Sequence, residues 1–555
     1  MNKLPELPTR ACIVLILIVG AVAHGLCLGA NYYMDDGLML HPEFLAWETG
    51  GWRDQLTRIL PGFLSAVTFQ IFGDSSMAQH VWNLLIHLCL AVTVFWGARL
   101  MLDSGKVFKN SDPERVQRAA LFAALIFACR PICSEAVNYA RCTRIQLVAL
   151  FSVLAAIGTL RFCQHPNWRA GLGTVALVIL AAMSKDPGLL HAVGNVMIVA
   201  AVFAKWEAVT HYLRRPIDWA VAILGVAAFF WMALNSFTMW WLRRAEGAFS
   251  GGGLGFGEHA LTQGRVFWGY VQRIVMPLNL SVDHHIPMTR SLADVPAILM
   301  TIGVLVLVAI AARMMFVKRL RIYGVLTMLA LAPLLLRFLY PISELMVEYR
   351  VYPAMPWVAI LAGIGLAFLY QKNAQVMKFA MVFLVVAGVL GSLMRSAIWQ
   401  DGSVLAQDVV DQYPTNNRAR NEMQRFAYEA GDYPRVFELR ADVLEAVTEI
   451  YQFNSTTAES GRGYIVHRTN GWYLASEARV ALALAESVGS AVALKHIAEV
   501  EKRIKVKYPT YFDEEHSDYK YGLPLVDLRE HIEKFGPSHD RRLAEQASAV
   551  DPNEP

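Results

Sequence analysis

Two adjacent carboxylates, Asp35 and Asp36, follow directly on the first long apolar run of the chain, within the stretch ANYYMDDGLML at residues 30–40. A carboxylate held within reach of a hydroxyl group can accept its proton, which is general-base chemistry. Ionisable side chains at membrane depth cost free energy and are candidates for function by default. We predict that Asp35 is a catalytic base and that Asp36 orients an acceptor or binds a metal. The reverse assignment, and an N-cap at the start of a loop helix, stay open at this point.

Several cationic side chains lie in loops on the same predicted side of the membrane as the acidic pair. Loops on the outer side are usually poor in Arg and Lys, so cations retained there suggest an anionic ligand. A phosphate needs convergent donors, which Arg and Lys supply. The alternative is that each is a helix-end side chain that reaches to the interface. The candidate phosphate donors are Arg58, Arg130, Arg141, Arg144, Lys185 and Arg350.

Polar residues recur at helical spacing within one apolar stretch. His80, Asn83 and His87 fall at positions i, i+3 and i+7, on one face of a helix. Such a face must point into the protein or into a polar cavity, and hydrogen bonds between helices are the structural alternative. No carboxylate or cysteine completes a metal-ligand spacing here, so we expect no metal site.

Acidic and amide side chains near the cations form a supporting set. Glu135 and Asn138 are three residues apart on one predicted helix face. Asp186 follows Lys185 directly, and an ion pair between these two is the structural alternative to a role in binding. We expect Glu135 and Glu348 to hold the cations in place. The predicted supporting residues are Glu135, Asn138, Asp186, Glu348, His80 and His87.

Composition places these residues in a membrane. Of the 555 residues, 55% are hydrophobic and 17% are charged, which is too apolar for an ordinary soluble enzyme. Hydropathy predicts about eleven spans, several of them shorter than the roughly 20 residues that a straight span needs. The predicted fold class is therefore α, a polytopic transmembrane helical bundle. The apolar runs cover residues 11–29, 77–101, 119–134, 145–160, 171–184, 188–204, 217–237, 295–312, 323–340, 354–370 and 377–394.

Lys and Arg in alternate connections set the predicted orientation. The N-terminal stretch MNKLPELPTR and loops such as RMMFVKRLR mark the cytoplasmic side. The acidic pair is then extracytoplasmic, as is the region after the last of an odd number of spans. We predict a multi-pass protein of a bacterial inner membrane, with its site and C-terminus in the periplasm. The seven cysteines all lie in the first third of the chain, so we expect no disulfide framework.

The composition changes after Trp399. Residues 399–535 are charged, helical in period and nearly free of long apolar runs, which predicts a soluble helical domain. The stretch at 413–446 resembles a tetratricopeptide unit, with a GDY turn between two helices, and 469–508 resembles a degenerate second unit. Docking of an acceptor protein and a structural cap over the site are both open as roles. Residues 536–555 have the composition of a disordered tail.

An ordered series of short motifs resembles the glycosyltransferase-C superfamily. The series runs from MDD through QHVWNLLIHL, FACRPICSEAVNYARCTR and SKDPG to MVEYRVYP, and spans most of residues 11–400. Within the superfamily it is most similar to tetratricopeptide-bearing O-mannosyltransferase-like proteins of bacteria and animals. The family pattern has Arg-Pro where this chain has Arg58 and Ile59, and His-Pro where it has Arg130 and Pro131.

The resemblance implies a membrane domain, residues 1–398, that transfers one sugar from a polyprenyl-phosphate carrier to hydroxyl groups of an exported protein, for which a pilin is suitable. The sugar would be mannose or a pentose such as arabinofuranose. Transfer to lipopolysaccharide or another envelope glycan stays open, as does a non-catalytic scaffold or transporter. The lipid-linked sugar is a substrate; no cofactor is firmly predicted, and a divalent metal is left open. The predicted partners are the donor, the acceptor and membrane lipid, with no nucleic acid.

Overall fold

The computed structural model of the chain describes residues 7–33, 36, 45–46, 56–108, 112–204, 256–339, 345–414, 416–439, 476–477, 479–507, 528–530, 532–534 and 540. The elements in these ranges are all helical. Described residues up to Gly402 belong to one compact unit, and those from Ser403 onward belong to a second.

The first unit consists of long apolar helices joined by short connections. The α-helices are α1 (Thr9–His24), α2 (Ile59–Phe72), α3 (Ser76–Ser104), α4 (Pro113–Cys129), α5 (Ser134–Asn138), α6 (Thr143–Gln164), α7 (Trp168–Ala182), α8 (Gly188–Phe203), α9 (Phe256–Val275), α10 (Val295–Phe316), α11 (Arg321–Leu335), α12 (Met355–Lys372) and α13 (Ala374–Ile398). Short 3-10 segments cover Gly25–Gly29, Leu56–Arg58, Pro131–Cys133, Ala140–Cys142, Leu336–Phe338 and Glu348–Ala354.

The helices confirm a multi-pass membrane protein. Within the described ranges, 7 helices are long and apolar enough to cross a membrane, or up to 8 if the bent pair Pro113–Cys129 and Pro131–Asn138 is one span. Two more of the predicted runs form α7 and α8, which have only 15 and 16 residues. At 1.5 Å per residue each is shorter than a hydrocarbon core of about 30 Å. The predicted span at 217–237 lies outside the described residues.

Side-chain caps begin several of these helices. Asp112 accepts a hydrogen bond from the backbone N–H of Glu114 at 3.1 Å, directly before Pro113 in the first turn of α4. Asn373 caps α13 in the same way, from the N–H of Val376 at 3.1 Å. Each cap satisfies a backbone donor that the first helical turn leaves without an intrahelical partner. Residues adjacent in the sequence therefore determine where each of these helices begins.

Small residues allow the helices to pack closely. A Cβ atom on Gly363 of α12 would lie 2.4 Å from the carbonyl oxygen of Ala119 and 2.8 Å from the backbone nitrogen of Ala123, both in α4. A Cβ on Gly388 of α13 would lie 2.9 Å from the carbonyl oxygen of Cys129. Backbones approach this closely in membranes because van der Waals packing, rather than water exclusion, drives helix association.

The chain leaves helical geometry between α4 and α6. Pro131 lacks the N–H that would continue α4, and the chain bends by 53° at this point. Short 3-10 and α-helical turns then carry it to Thr143, where α6 begins. Irregular backbone inside a membrane is stable only where the protein supplies hydrogen-bond partners for it.

One face of α3 supplies those partners. His80, Asn83 and His87 are fully buried and follow the helical spacing that the sequence predicted. Asn83 Nδ2 donates to the carbonyl oxygen of Tyr139 at 2.8 Å, His80 Nε2 lies 3.0 Å from that of Asn138, and His87 Nε2 lies 3.2 Å from that of Ala128. These contacts are the hydrogen bonds between segments that the sequence offered as the structural alternative to a polar cavity.

The second unit contains helical hairpins. Helices Asn417–Glu429 and Tyr433–Glu438 are joined through Gly431, whose φ of 74° favours glycine, and Asp432 caps the second helix. Ala427, Val436 and Leu439 pack with residues of a helix that covers 479–487. Asp540, within the predicted tail, accepts a hydrogen bond from the N–H of Ser490 at 2.8 Å, at the start of the helix Ser490–Lys507.

Replacing Gly363 with alanine is expected to destabilise the first unit by about 2 kcal/mol, because the new methyl group overlaps the backbone of α4. The matched control is Gly365→Ala, two residues along α12, where a Cβ meets nothing within 4 Å. Unfolding of both variants in increasing sodium dodecyl sulfate, followed by tryptophan fluorescence, measures the difference. Equal midpoints for the two variants would contradict close packing at Gly363.

Candidate active site

Asp36 fixes the first loop against the turn between α4 and α6. Its side chain is buried, and its two carboxylate oxygens accept hydrogen bonds from the backbone N–H of Arg141 at 2.9 Å and that of Tyr33 at 3.4 Å. Leu45, from the same loop, packs against Ala140. Asp35 lies outside the described residues.

Lys185 lies at the centre of a group of cations. It is partly buried in the turn between α7 and α8. Removal from water lowers the pKa of the Lys185 ammonium to about 7, and the positive charges of Arg337, Arg350 and Arg58 push this pKa in the same direction. Three arginines from other parts of the chain therefore act electrostatically on Lys185, whereas the Cys142 thiol acts in the opposite direction. We name Lys185, Arg337, Arg350 and Arg58 the cation cluster.

Tyr349 lies between two members of the cation cluster. The Lys185 ammonium is 4.8 Å from the centroid of its ring, and the Arg350 guanidinium is 5.8 Å from the same centroid. An aromatic face attracts a cation through its quadrupole. The ring holds the two side chains close to each other even though their charges repel.

Arg58 is paired with a carboxylate from the turn that carries Lys185. Its Nη2 donates to Asp186 at 2.6 Å, and Thr57 donates to the other carboxylate oxygen at 2.5 Å. Burial alone would raise the pKa of Asp186, but the Arg58 charge and these two hydrogen bonds hold it below its usual range. The alternative of an ion pair between Lys185 and Asp186 gives way to one between Arg58 and Asp186.

Glu135 and Glu348 brace the backbone around Tyr349. Glu135 accepts a hydrogen bond from the N–H of Tyr349 at 2.8 Å. Glu348 accepts from the N–H of Ser281 at 2.6 Å, and its Oε1 lies 3.0 Å from Nε2 of His284. The prediction was that these acids hold the cations themselves. The contacts instead fix the segment on which Tyr349 and Arg350 sit.

Asn138 links the irregular turn to the last span. Its Nδ2 donates to Ser396 Oγ of α13 at 2.9 Å and to the carbonyl oxygen of Ser134 at 2.8 Å. Arg395, the residue before Ser396, is buried and acts electrostatically on Glu135. Asn138 therefore ties the irregular turn to α13, and its supporting role at a site stays a prediction.

Four aromatic rings connect the Asp36 loop to the cation cluster. Tyr33 lies 6.4 Å from Trp399, Trp399 lies 5.9 Å from Tyr139, and Tyr139 lies 6.5 Å from Tyr349, as distances between ring centroids. Tyr139 and Trp399 are buried, whereas Tyr33 and Tyr349 at the two ends are half-buried. We name these four rings the aromatic row.

Arg130 has a different environment from the predicted phosphate donors. Its Nη2 donates to the carbonyl oxygens of Ile274 and, at 2.7 Å, Val275, at the C-terminal end of α9. The last carbonyls of a helix lack intrahelical partners and carry partial negative charge, so a guanidinium stabilises them. Arg130 thus anchors α9, and its role as a phosphate donor stays a prediction.

Arg141 and Arg144 are described at the same turn, where the contacts involve the backbone of residue 141. The N–H of Arg141 binds Asp36, and Arg144 Nε donates to the carbonyl oxygen of Arg141 at 3.1 Å. Neither contributes to the lowered pKa of Lys185 to the extent that Arg337 does. These contacts tie the backbone of Arg141 to Asp36, and the role of both arginines as phosphate donors stays a prediction.

Sequence reasoning missed Arg337 and the aromatic row. Arg337 is a buried charge inside an apolar run, and a charge at that depth is itself a signal of function. Tyr139 and Tyr349 each lie within two residues of a predicted site residue, but an aromatic residue in a membrane protein is too common to stand out. Within the described ranges, no group of three or more His, Cys, Asp or Glu residues could hold a metal ion.

The comparisons with known proteins add one distant likeness. No family model matches the chain, and no curated protein matches it. A crystal structure of ArnT from Cupriavidus metallidurans bound to undecaprenyl phosphate is similar, with a TM-score of 0.42 and 15% sequence identity. The likeness covers 87% of this chain and 81% of that one. A structural likeness this distant does not assign a function to the chain.

Replacing Arg130 with methionine is expected to loosen the C-terminal turn of α9, because the carbonyls of Ile274 and Val275 lose a charged donor. Backbone amides of that turn should exchange with solvent about tenfold faster, as measured by hydrogen–deuterium exchange. Arg273→Met is the control, since Arg273 bonds within α9 to the carbonyl oxygen of Gly269. Unchanged exchange in the Arg130 variant would show that the anchor is dispensable.

Proposed function

We propose that this chain is an integral-membrane glycosyltransferase that moves one sugar from a polyprenyl-phosphate-linked donor to a hydroxyl group of an acceptor outside the cytoplasm. One observation carries the proposal. Lys185 and Arg350 lie beside Tyr349 at one end of the aromatic row, and Asp36 accepts a hydrogen bond from the N–H of Tyr33 at the other end. This separation suits a donor whose phosphate and sugar must be bound by opposite kinds of groups.

The cation cluster suits the phosphate of the donor. A lipid-linked sugar is a phosphodiester that carries one negative charge, and the departing polyprenyl phosphate gains a second as the bond from sugar carbon to phosphate oxygen breaks. Fixed cations stabilise charge that develops in the transition state. Lys185 and Arg350, which both lie beside the Tyr349 ring, are suited to this role. Arg337 adds a third donor, and Arg58 positions the turn that carries Lys185 through Asp186.

The acidic pair suits the acceptor. As the acceptor oxygen forms its bond to the sugar carbon, its proton must pass to a base, for which we propose Asp35. Asp36 accepts two backbone N–H bonds, which make a carboxylate a weaker base but a firm anchor. Asp36 therefore positions the loop, and Asp35 takes the proton. Attack from the side opposite the phosphate would invert the configuration at the sugar carbon.

The aromatic row suits the sugar between these two groups. Aromatic faces carry negative partial charge, which attracts the C–H faces of a sugar ring and any positive charge that develops on it. Glycosyl transfer has such an oxocarbenium-like transition state. Tyr33 and Tyr349 are the rings with exposed surface, and the buried Tyr139 and Trp399 hold their spacing.

The acceptor we propose is a Ser or Thr hydroxyl of an exported protein, with a pilin as one suitable substrate. The second unit supports a protein acceptor, because its helical hairpins offer a surface for protein docking, as tetratricopeptide-like repeats do. The proposed sugar is mannose or a pentose such as arabinofuranose. Transfer to lipopolysaccharide or another envelope glycan is the second candidate, because the same cation cluster, aromatic row and acidic pair could serve it. The site and the second unit would face the periplasm of a bacterial inner membrane.

Asparagine at residue 35 or 36 is expected to abolish sugar transfer, with Asp35→Asn lowering the rate by about a thousandfold through loss of the base. Intact-mass spectrometry of exported proteins from cells with wild type or variants at matched expression measures this, and the mass increment distinguishes hexose from pentose. Asp74→Asn is the control, because it removes a carboxylate from the nearby loop that follows α2. Protein glycoforms that persist in both variants would exclude the acidic pair from a protein O-glycosyltransferase.

Donor binding is expected to weaken as pH rises through about 7, since the Lys185 ammonium loses its proton there in the free protein. From about pH 6.5 to about pH 8.5 the Kd for a polyprenyl-phosphate sugar should rise roughly tenfold, because the phosphodiester itself does not titrate in this range. Lys185→Arg, which keeps its charge, should give a flat profile. Microscale thermophoresis in detergent measures both; a flat wild-type profile would remove Lys185 from the phosphate site.

A further inference from the structure

A cavity lies at the end of the bundle opposite the Asp36 loop. It has a volume of about 390 Å³ and is lined at its rim by Leu7 and Gln117, together with Cys12 of the first turn of α1. Helices α1, α4 and α13 begin at this end and α12 ends there, whereas the Asp36 loop follows the far end of α1. The cavity is therefore separated from the candidate active site by the length of the helices.

The same pattern of residues lines the cavity from two helices. On α4, Arg118 is followed at i+3 and i+4 by Leu121 and Phe122. On α13, Lys378 is followed at the same spacing by Met381 and Val382, and all six side chains line the cavity. Residues three and four apart share one helix face. Since both helices run into the bundle from this end, each cation lies near the rim and its apolar pair lies about one turn, roughly 5 Å, deeper.

An aromatic ring completes the rim. Tyr370 is in the last turn of α12, and the Arg118 guanidinium lies 4.3 Å from its ring centroid. Phe122 lies 6.3 Å from the same ring. Tyrosine is enriched at the level of lipid headgroups, where one end of the side chain is apolar and the other is wet. Among the described residues that line this cavity, none is acidic.

The outer wall of the cavity is lipid-facing. Val382 is 63% exposed in the isolated chain, and its neighbours Phe379 and Phe383 on α13 are 69% and 71% exposed. An apolar surface of this kind on a membrane helix is covered by acyl chains. The charge at the rim and the apolar depth below it match a molecule that has an anionic head and hydrocarbon tails.

We infer that this cavity, between α1, α4, α12 and α13, is a binding site for one anionic phospholipid. The phosphate of the headgroup lies between Arg118 and Lys378, and an acyl chain packs along Leu121, Phe122, Met381 and Val382. The sequence predicts that this end of the bundle faces the cytoplasm, where anionic lipids attract basic groups. The lipid ties the start of α4 to the start of α13. This site is independent of the proposed sugar transfer.

Native mass spectrometry of the full-length protein, released from detergent with dioleoylphosphatidylglycerol or dioleoylphosphatidylcholine, tests the inference. Wild type is expected to retain one phosphatidylglycerol about tenfold more than phosphatidylcholine, and the double variant R118Q/K378Q should lose that preference. The control K318Q/R319Q removes two exposed cations from the turn between α10 and α11, at the same end of the bundle, and should keep it.

Two further arms make the result decisive. Val382→Trp keeps both cations but narrows the apolar part, and because the position is exposed the fold should tolerate it; retention should fall several-fold. Inorganic phosphate in excess should not displace the lipid, since it has no acyl chain. Equal retention of both lipids by wild type, unchanged retention in R118Q/K378Q and Val382→Trp, or displacement by phosphate alone would overturn the inference.

Discussion

The hydrogen bonds from one face of α3 to the broken backbone after α4 are the constraint on which the rest of the structure depends. In a membrane interior, an unpaired carbonyl oxygen costs several kcal/mol, so a helix can break only where another helix satisfies it. Asn83 and the two histidines do this for the chain between Ala128 and Tyr139. The break turns the backbone of Arg141 toward Asp36 and places Tyr139 in the aromatic row. Without it, α4 and α6 would offer only a lipid-like surface.

Charge at the site is divided between framework and ligand binding. Asp186, Glu135 and Glu348 are acidic residues next to cations, yet their contacts fix the turn after α7 and the segment before α12. A buried carboxylate that is committed to backbone and partner donors costs less than an unpaired one and holds its neighbours rigidly. Arg58 is paired with Asp186, while the positive charges of Arg337, Arg350 and Arg58 all disfavour the charged form of Lys185. Rigidity from the acids and the positive charges near Lys185 together favour an anionic ligand.

The two ends of the bundle arrange similar residues, cations beside aromatic or apolar side chains, in different ways. At the Asp36 end, Lys185 and Arg350 come from separate connections and lie beside the ring of Tyr349. At the other end, Arg118 and Lys378 stand on helices with apolar residues one turn deeper, at a surface that lipid covers. The ligand proposed for the Asp36 end is a donor that reacts, whereas the ligand inferred for the other end is a phospholipid that stays in the bilayer.

The sequence by itself determined the membrane class and most of the helices. Apolar runs identify spans because a helix in lipid satisfies its own backbone, and the i, i+3, i+7 spacing of His80, Asn83 and His87 marked a buried polar face. Only the tertiary structure decided which charges meet: Arg58 with Asp186, and Arg130 with the end of α9. These partners are distant in the chain, and no local pattern encodes the choice between them. The aromatic row was likewise invisible, because its rings come from four separate segments and acquire meaning only from their distances.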